Sequence, residues 1–308
     1  MKPFPLSRGG TPAPFLSLQK NGILQWQAET ARIRTLRRGD RLSKPEIICE
    51  DAVTSLDLFS QEPLSFSREW RFQIAQHIAF QGLRLEHLKN KDFSAVKAFL
   101  HRHYPVQQAS EICAFDLHRF EQFGHGIILK NGLDEVVGTI FEVGYDTQDK
   151  TSYTIRLAVD QGWQGKGLGT QLVQYSSLLA MENGSGVKRG LIEMNNYQSL
   201  YMNVNQVGWI CEDFSPHITE LGSFFHIAMP LTPRGILGNK IDLNKVMRFI
   251  QWAQPGIDYR LIKGGDLSGI RRMYEETNFK IVAYIPPGRL DRHVYFLALP
   301  ASSLGAQL

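Results

Sequence analysis

The sequence predicts an α+β fold: a mixed, mostly antiparallel central sheet flanked by helices, plus a smaller C-terminal unit. Three observations carry this reading. Two alternating apolar segments, 125–130 and 136–145, flank Asn131-Gly132, a dipeptide that tolerates the positive dihedrals of a tight antiparallel hairpin. A third such segment, 153–159, leads into a glycine-dense turn, an amphipathic stretch 170–182 and a further apolar run 190–194, the pattern of a strand, helix, strand crossover. Finally, the spacing of residues 191–230 recurs 70 positions later, at 261–300.

The elements follow in order along the chain. Residues 1–20 read as a mobile arm, because Pro3, Pro5, Gly9, Gly10, Pro12 and Pro14 deny regular hydrogen bonding. Residues 21–82 read as N-terminal strands (23–28, 31–36 and 41–49, with a turn at Arg38-Gly39-Asp40) and one helix; this segment is a candidate to complete the C-terminal unit. Within it, Phe66, Trp70, Ile74 and Ile78 recur every four positions and place a packing helix over 63–80. Residues 83–230 form the main domain: strand 83–86, helix 93–103, the hairpin, the crossover, helix 197–205 and strands 209–214 and 224–229. His101 and His103, two apart on a helix, diverge and read as surface histidines, not metal ligands. Residues 231–300 form the second unit and 301–308 a tail.

Composition narrows the function classes. With 43% hydrophobic and 21% charged residues, 308 residues can bury a large core. A net charge of +4, without an aromatic-interleaved basic stripe, argues against nucleic acid as partner while suiting an anionic small molecule. Cys49, Cys113 and Cys211, widely spaced and without a CxxC pair, suggest neither disulfides nor a thiolate metal site, and point to a reducing cytoplasm. No apolar run reaches the length of a membrane span, and the N-terminal residues lack the apolar core of a secretory signal.

The chemistry concentrates in Leu157-Ala158-Val159 and the turn Gln164-Gly165-Lys166-Gly167-Leu168-Gly169-Thr170. Glycines let backbone amides approach a phosphate closely, and the first turn of the following helix offers unpaired N–H groups and a favourable dipole. A P-loop is excluded because Lys166 is followed by Gly167, which leaves no hydroxyl for magnesium. The dinucleotide fingerprint fails because Thr170 stands where glycine or alanine is needed, and because antiparallel strands precede the turn.

The spacing Gln164-x-x-Gly167-x-Gly169 does match the acyl-CoA motif Gln/Arg-x-x-Gly-x-Gly/Ala, and over residues 83–230 the chain resembles the GNAT superfamily of N-acyltransferases. The resemblance implies that Gln164 to Thr170 hold the pyrophosphate of acetyl-CoA or a longer acyl-CoA, a co-substrate. It implies that Leu157, Ala158 and Val159 line the pantetheine arm and thioester on a strand that splays from its parallel neighbour after a bulge. A second family signature, Asn-x-x-Ala/Ser…Leu-Tyr-x-x-x-Gly-Phe, is met by Asn196, Ser199, Gly208 and Trp209, which adds Asn196 and Ser199 to the coenzyme residues. Its tyrosine is missing: the position falls on Val204, beside Asn203. Tyr201, about one helical turn earlier, is the candidate acid for the leaving thiolate, and Glu193, then Glu142, are the candidate bases.

The repeat sets Leu191-Ile192 on Leu261-Ile262, Trp209 on Phe279 and Ala228-Met229-Pro230 on Ala298-Leu299-Pro300 without a gap. Its second copy keeps a Met273-Tyr274…Phe279 signature but not the phosphate turn, and so reads as a degenerate half-domain. The functional expectation is an N-acyltransferase acting on a primary amine, with a peptide or protein acceptor suited to so elaborate a chain; the alternative is a non-catalytic acyl-CoA-binding or protein-docking module. No metal is implied, and the oligomeric state is left open.

Overall fold

The computed structural model describes residues 63–104, 124–146, 150–216, 222–237 and 240–304, all within one unit, Glu46–Leu308. The strands expected at 23–49 and the arm at 1–20 lie outside these residues. Ten strands form one sheet in the order β1-β2-β3-β4-β5-β7-β6-β9-β10-β8. These are β1 Arg84–His87, β2 Gly124–Lys130, β3 Val136–Asp146, β4 Thr151–Val159, β5 Val187–Glu193, β6 Ile210–Ser215, β7 Phe224–Pro230, β8 Arg260–Lys263, β9 Phe279–Ile285 and β10 Tyr295–Pro300. Among the described strands, only β4 and β5 pair in parallel. The longer helices are α1 Pro63–Phe80, α2 Phe93–His103, α3 Leu168–Glu182, a short α4 Tyr197–Leu200, α5 Pro233–Leu237, α6 Leu243–Trp252 and α7 Leu267–Glu276.

The main core lies on one face of the sheet. There α1 presents Phe66, Ile74 and Ile78 to a cluster that includes Leu172, Leu178, Phe225 and Trp209, and α1 is tied to α3 by Ser67 Oγ donating to the Leu178 carbonyl at 3.2 Å and by the Arg71–Glu182 ion pair at 2.9 Å. This helix packs in one layer with α3. On the opposite face α2 packs Val96, Phe99 and Leu100 on Ile128, Val136 and Phe141.

The hairpin turn differs from the two-residue type that Asn-Gly suggests. Residues 131–135 all lie in the connection, the positive φ (65°) belongs to Asp134, and the Asn131 side-chain oxygen accepts from the amides of Leu133 and Glu135 at 2.9 and 3.0 Å. Asparagine here serves through its side chain, as an Asx turn, and its glycine neighbour is not required for a positive dihedral.

The 70-residue offset maps β5 towards β8, β6 onto β9 and β7 onto β10, with α7 taking the place of the helix that follows β5. The strand orders β5-β7-β6 and β8-β10-β9 are the same, and the two sets meet antiparallel through Cys211 and Ile281. The correspondence stops before β8: α6 packs Val246 against Ala283, Leu297 and Leu299, whose side chains face away from Ile281 and Phe296 of the main core. Tyr274 is a packing residue; its hydroxyl donates to the Cys211 carbonyl at 2.8 Å, and burial pushes its pKa well up.

A polar seam crosses the core beneath α3. Glu142 of β3 and Lys188 of β5, both fully buried, pair at 2.7 Å; Ser176 of α3 donates to Glu142, and His125 of β2 lies 3.6 Å from the same carboxylate. Burial pushes the Glu142 carboxyl up, but Lys188, His125 and Ser152 together outweigh it and the net direction is down; burial pulls Lys188 down against Glu142. Removing one partner leaves an uncompensated buried charge. Lys188→Met is therefore expected to lose about 3–5 kcal/mol in urea denaturation, and Lys188→Met combined with Glu142→Leu to recover most of it. Burial moves His125 down to about 4, so in acid the unfolded chain takes up a proton that the folded one refuses. Its contribution is complete above the ordinary histidine value and is lost as pH falls towards 4. Relative to His125→Gln, the protein should lose about 3 kcal/mol more stability over that interval, read from denaturant midpoints at a series of pH values.

Candidate coenzyme-binding site

The site begins where β4 leaves β5. Their parallel pairing covers only Thr151–Tyr153 against Val187–Arg189, although β4 continues to Val159 and β5 to Glu193. The cause is a bulge: between Thr139↔Ala158 and Phe141↔Ile155, β4 spends one residue more than β3, and Arg156 absorbs it at φ 54°. The guanidinium of Arg156 lies 5.3 Å from the Tyr104 ring centre, and the Tyr104 hydroxyl donates to the Leu157 carbonyl at 3.1 Å. Burial raises the Tyr104 pKa against the pull of Arg156, so the hydroxyl stays a donor. Tyr104 thus pins the bulge from the end of α2, a role no local pattern reveals.

Beyond β4 the chain makes one 3-10 turn, Gln161–Trp163, then the glycine turn. Gly165 and Gly167 adopt φ of 77° and 78°, and the space above each is open. Gly167 caps α3. Gln171 makes the first helical bond, to the Gly167 carbonyl at 3.0 Å, so the amides of Leu168, Gly169 and Thr170 precede it without an intrahelical acceptor. No side chain caps this end and its first turn carries no acidic residue. An anion here meets free N–H groups and the positive end of the helix dipole. Lys166 adds a cation, held 4.2 Å from the Trp163 ring centre.

Other predicted residues brace the turn. Gln164 donates to the Val159 carbonyl at 2.9 Å and accepts from Gln198 at 3.1 Å, linking the end of β4 to α4. Asn196 caps α4 by accepting from the Ser199 amide at 3.0 Å, and Ser199 in turn accepts from Asn203, so both residues build the helix. Ala158 turns its side chain to the α2 face, while Leu157 and Val159 face the main core.

The candidate acid and bases fall in three different settings. Tyr201 opens a seven-residue π-helix, Tyr201–Val207, where the sequence suggested a continuous α-helix to residue 205. Asn203 and Val204, where the sequence lacks the tyrosine of the signature it resembles, lie within this wider turn and are both buried. The Tyr201 hydroxyl accepts from Gln206 at 3.1 Å, which leaves its own proton free to be given. Glu193 is exposed at the end of β5. Glu142 is not a base: fully buried and ion-paired with Lys188, it cannot exchange protons with an amine in the slot.

Two polar pairs escaped the sequence reading. His103 is partly buried and lies 2.6 Å from Asp160, at the foot of the turn, instead of standing free on the surface. His226 of β7 lies 2.6 Å from Ser215, beside Leu191 of β5 in register, and burial pulls its pKa down. Each joins residues distant in sequence or on separate strands, which spacing alone does not encode. Among the described residues no cluster suited to a metal ion occurs and no helix is long and apolar enough to cross a membrane.

Residues 84–202 match the family model for the Acetyltransferase (GNAT) family. Similar solved structures include the ribosomal-protein-S18-alanine N-acetyltransferase of Escherichia coli, at 13% identity over 49% of this chain and 94% of that one, with a TM-score of 0.41. A GNAT-family acetyltransferase of Staphylococcus aureus Mu50 aligns at 13% identity over 49% of this chain and 99% of its own, also at 0.41. The yncA protein of Salmonella typhimurium, solved with its cofactor acetyl-CoA, aligns at 17% identity over 49% and 94%, again at 0.41. No curated protein matches in sequence.

Gly167→Asp puts a carboxylate and a strained backbone into the turn. If coenzyme A raises the melting temperature of the unsubstituted protein, this variant should abolish the rise, while lowering the intrinsic stability by only about 1–2 kcal/mol; a thermal-shift titration checks both.

Proposed function

Because residues 84–202 form a GNAT acetyltransferase domain, we propose that this protein transfers an acetyl or longer acyl group from coenzyme A to a primary amine, in a reducing cytoplasm. The observation that carries the reading is the capless start of α3 behind two left-handed glycines, set at the mouth of the β4–β5 slot. Gly165 to Thr170 would take the pyrophosphate, with Lys166 adding charge. The open edges of β4 and β5 would take the pantetheine arm.

The coenzyme supplies a thioester; attack by a neutral amine forms the amide C–N bond and breaks the C–S bond. Two protons leave the nitrogen. Glu193, through water, accepts the one the ammonium gives up before attack; Tyr201 gives its own to the departing thiolate and is restored by the one the nitrogen sheds as the amide forms. The strands and helices after residue 231 would shape an acceptor groove, which favours a peptide or protein acceptor over a small metabolite.

A second reading has one specific observation in its favour: buried Asn203 and Val204 stand where the family places its tyrosine. On that reading the domain binds acyl-CoA without turnover. Incubation with a panel of acyl-CoAs and amine or peptide acceptors, followed by mass spectrometry and thiol release, separates the two. Transfer supports the enzyme; binding without thiol release supports the module; no coenzyme binding overturns both. For the enzyme, Tyr201→Phe should lower kcat by at least about 100-fold, as expected for loss of a general acid, with coenzyme affinity little changed.

A further inference from the structure

The two sets of strands meet over very little backbone. β9 pairs with β6 only at Ile281↔Cys211, so Tyr284, further along β9, has no neighbouring strand on that side. Its main-chain groups are satisfied instead by one side chain. Asn205, fully buried in the π-helix, donates through Nδ2 to the Tyr284 carbonyl at 2.6 Å and accepts through Oδ1 from the Tyr284 amide at 2.9 Å. A primary amide has the donor and acceptor of a peptide group, so Asn205 stands in for a strand across 79 residues of sequence. The Asn205 carbonyl also accepts from the Ile241 amide at 2.8 Å, a second tie from the π-helix to the segment leading into α6.

The same residue of β9 reaches the candidate acid. The Tyr284 ring lies edge-on to Tyr201 at 6.1 Å between centres, and 5.9 Å from Tyr197. A π-helix is not the conformation a free segment would choose, and such turns persist where the surroundings impose them. Here the surroundings are the clamp at Asn205, the bond from Asn203 Nδ2 to the Ser199 carbonyl at 2.9 Å, and the left-handed Gly208 that ends the turn.

We infer that Asn205 and Tyr284 are positioning residues: through their paired amide groups the C-terminal strands hold the π-helix and thereby orient Tyr201 for proton transfer. This rests on the assignment of Tyr201 as the acid. The C-terminal strands then take part in the reaction by fixing the register of the turn that carries the acid.

The test measures steady-state kinetics of the full chain over a range of pH, with melting temperature as a check on folding. Asn205→Ala should lower kcat by about tenfold or more, leave KM for acyl-CoA within about twofold, and weaken the alkaline limb of the kcat profile as Tyr201→Phe does. The double variant Asn205→Ala/Tyr201→Phe should be no slower than Tyr201→Phe alone, because both changes remove one function. If Asn205→Ala does not fold, Tyr284→Leu, which keeps the main-chain bonds and removes the ring, should show the same signature. The inference is overturned if these variants act only on KM, if their effects multiply with that of Tyr201→Phe, or if kcat is unchanged. A Tyr201→Phe variant with full kcat overturns the acid assignment, and the inference with it; an intact Tyr201 effect beside a neutral Asn205 or Tyr284 variant overturns the inference alone.

Discussion

Parallel β4 and β5 share hydrogen bonds over three residue pairs and then part, and the candidate site exists because they part. A closed sheet would spend the backbone groups of Thr154 to Val159 and Gly190 to Glu193 on one another. The extra residue at Arg156 prevents this by turning the end of β4 away, while antiparallel pairing with β3 resumes at Ala158 and keeps the strand anchored. The cost of a non-glycine residue at positive φ is offset by Tyr104, which holds both the Leu157 carbonyl and the Arg156 guanidinium.

A slot of this kind would close or fray if its root were soft. At the root, Glu142 and Lys188 bridge β3 to β5 across β4, and Ser176 joins them to α3. Buried ion pairs seldom add net stability compared with apolar packing, but they demand a particular geometry. The pair ties β5, and the β3 strand on which β4 rests, to the helix whose start is the candidate anion cradle. The same geometry removes Glu142 from proton transfer, since a carboxylate committed to a buried ammonium has no path to an acceptor.

Element by element, the C-terminal strands repeat β5, β6 and β7, and the repeat explains why they can extend the sheet: β9 meets β6 as an antiparallel counterpart of equal rank. It does not carry a second coenzyme turn. What precedes β8 is α6, packed on the other face, so neither a β4 equivalent nor a glycine-bounded helix start faces the α7 side. The two units are coupled at least as much by side chains, Asn205 and Tyr274, as by the ladder between them.

Much of this was legible in the sequence. Local periodicity placed α1, α2, the β2–β3 pair and the β4–α3–β5 crossover, because each depends on residues near one another along the chain. The glycine turn before α3 was legible for the same reason: Gly165 and Gly167 act through backbone dihedrals, and Leu168 to Thr170 through free amides, that are local by nature. The 70-residue repeat was visible as a spacing because core positions on equivalent strands must recur together. What only the tertiary structure decided is everything carried by pairs distant in the chain. The withdrawal of Glu142 into a pair with Lys188, the pinning of the bulge by Tyr104 and the amide clamp of Asn205 on Tyr284 join residues 46 to 79 positions apart in the chain, and the π-helix depends on the packing around it. A sequence pattern records which residues can make such contacts; only the folded sheet determines which of them meet.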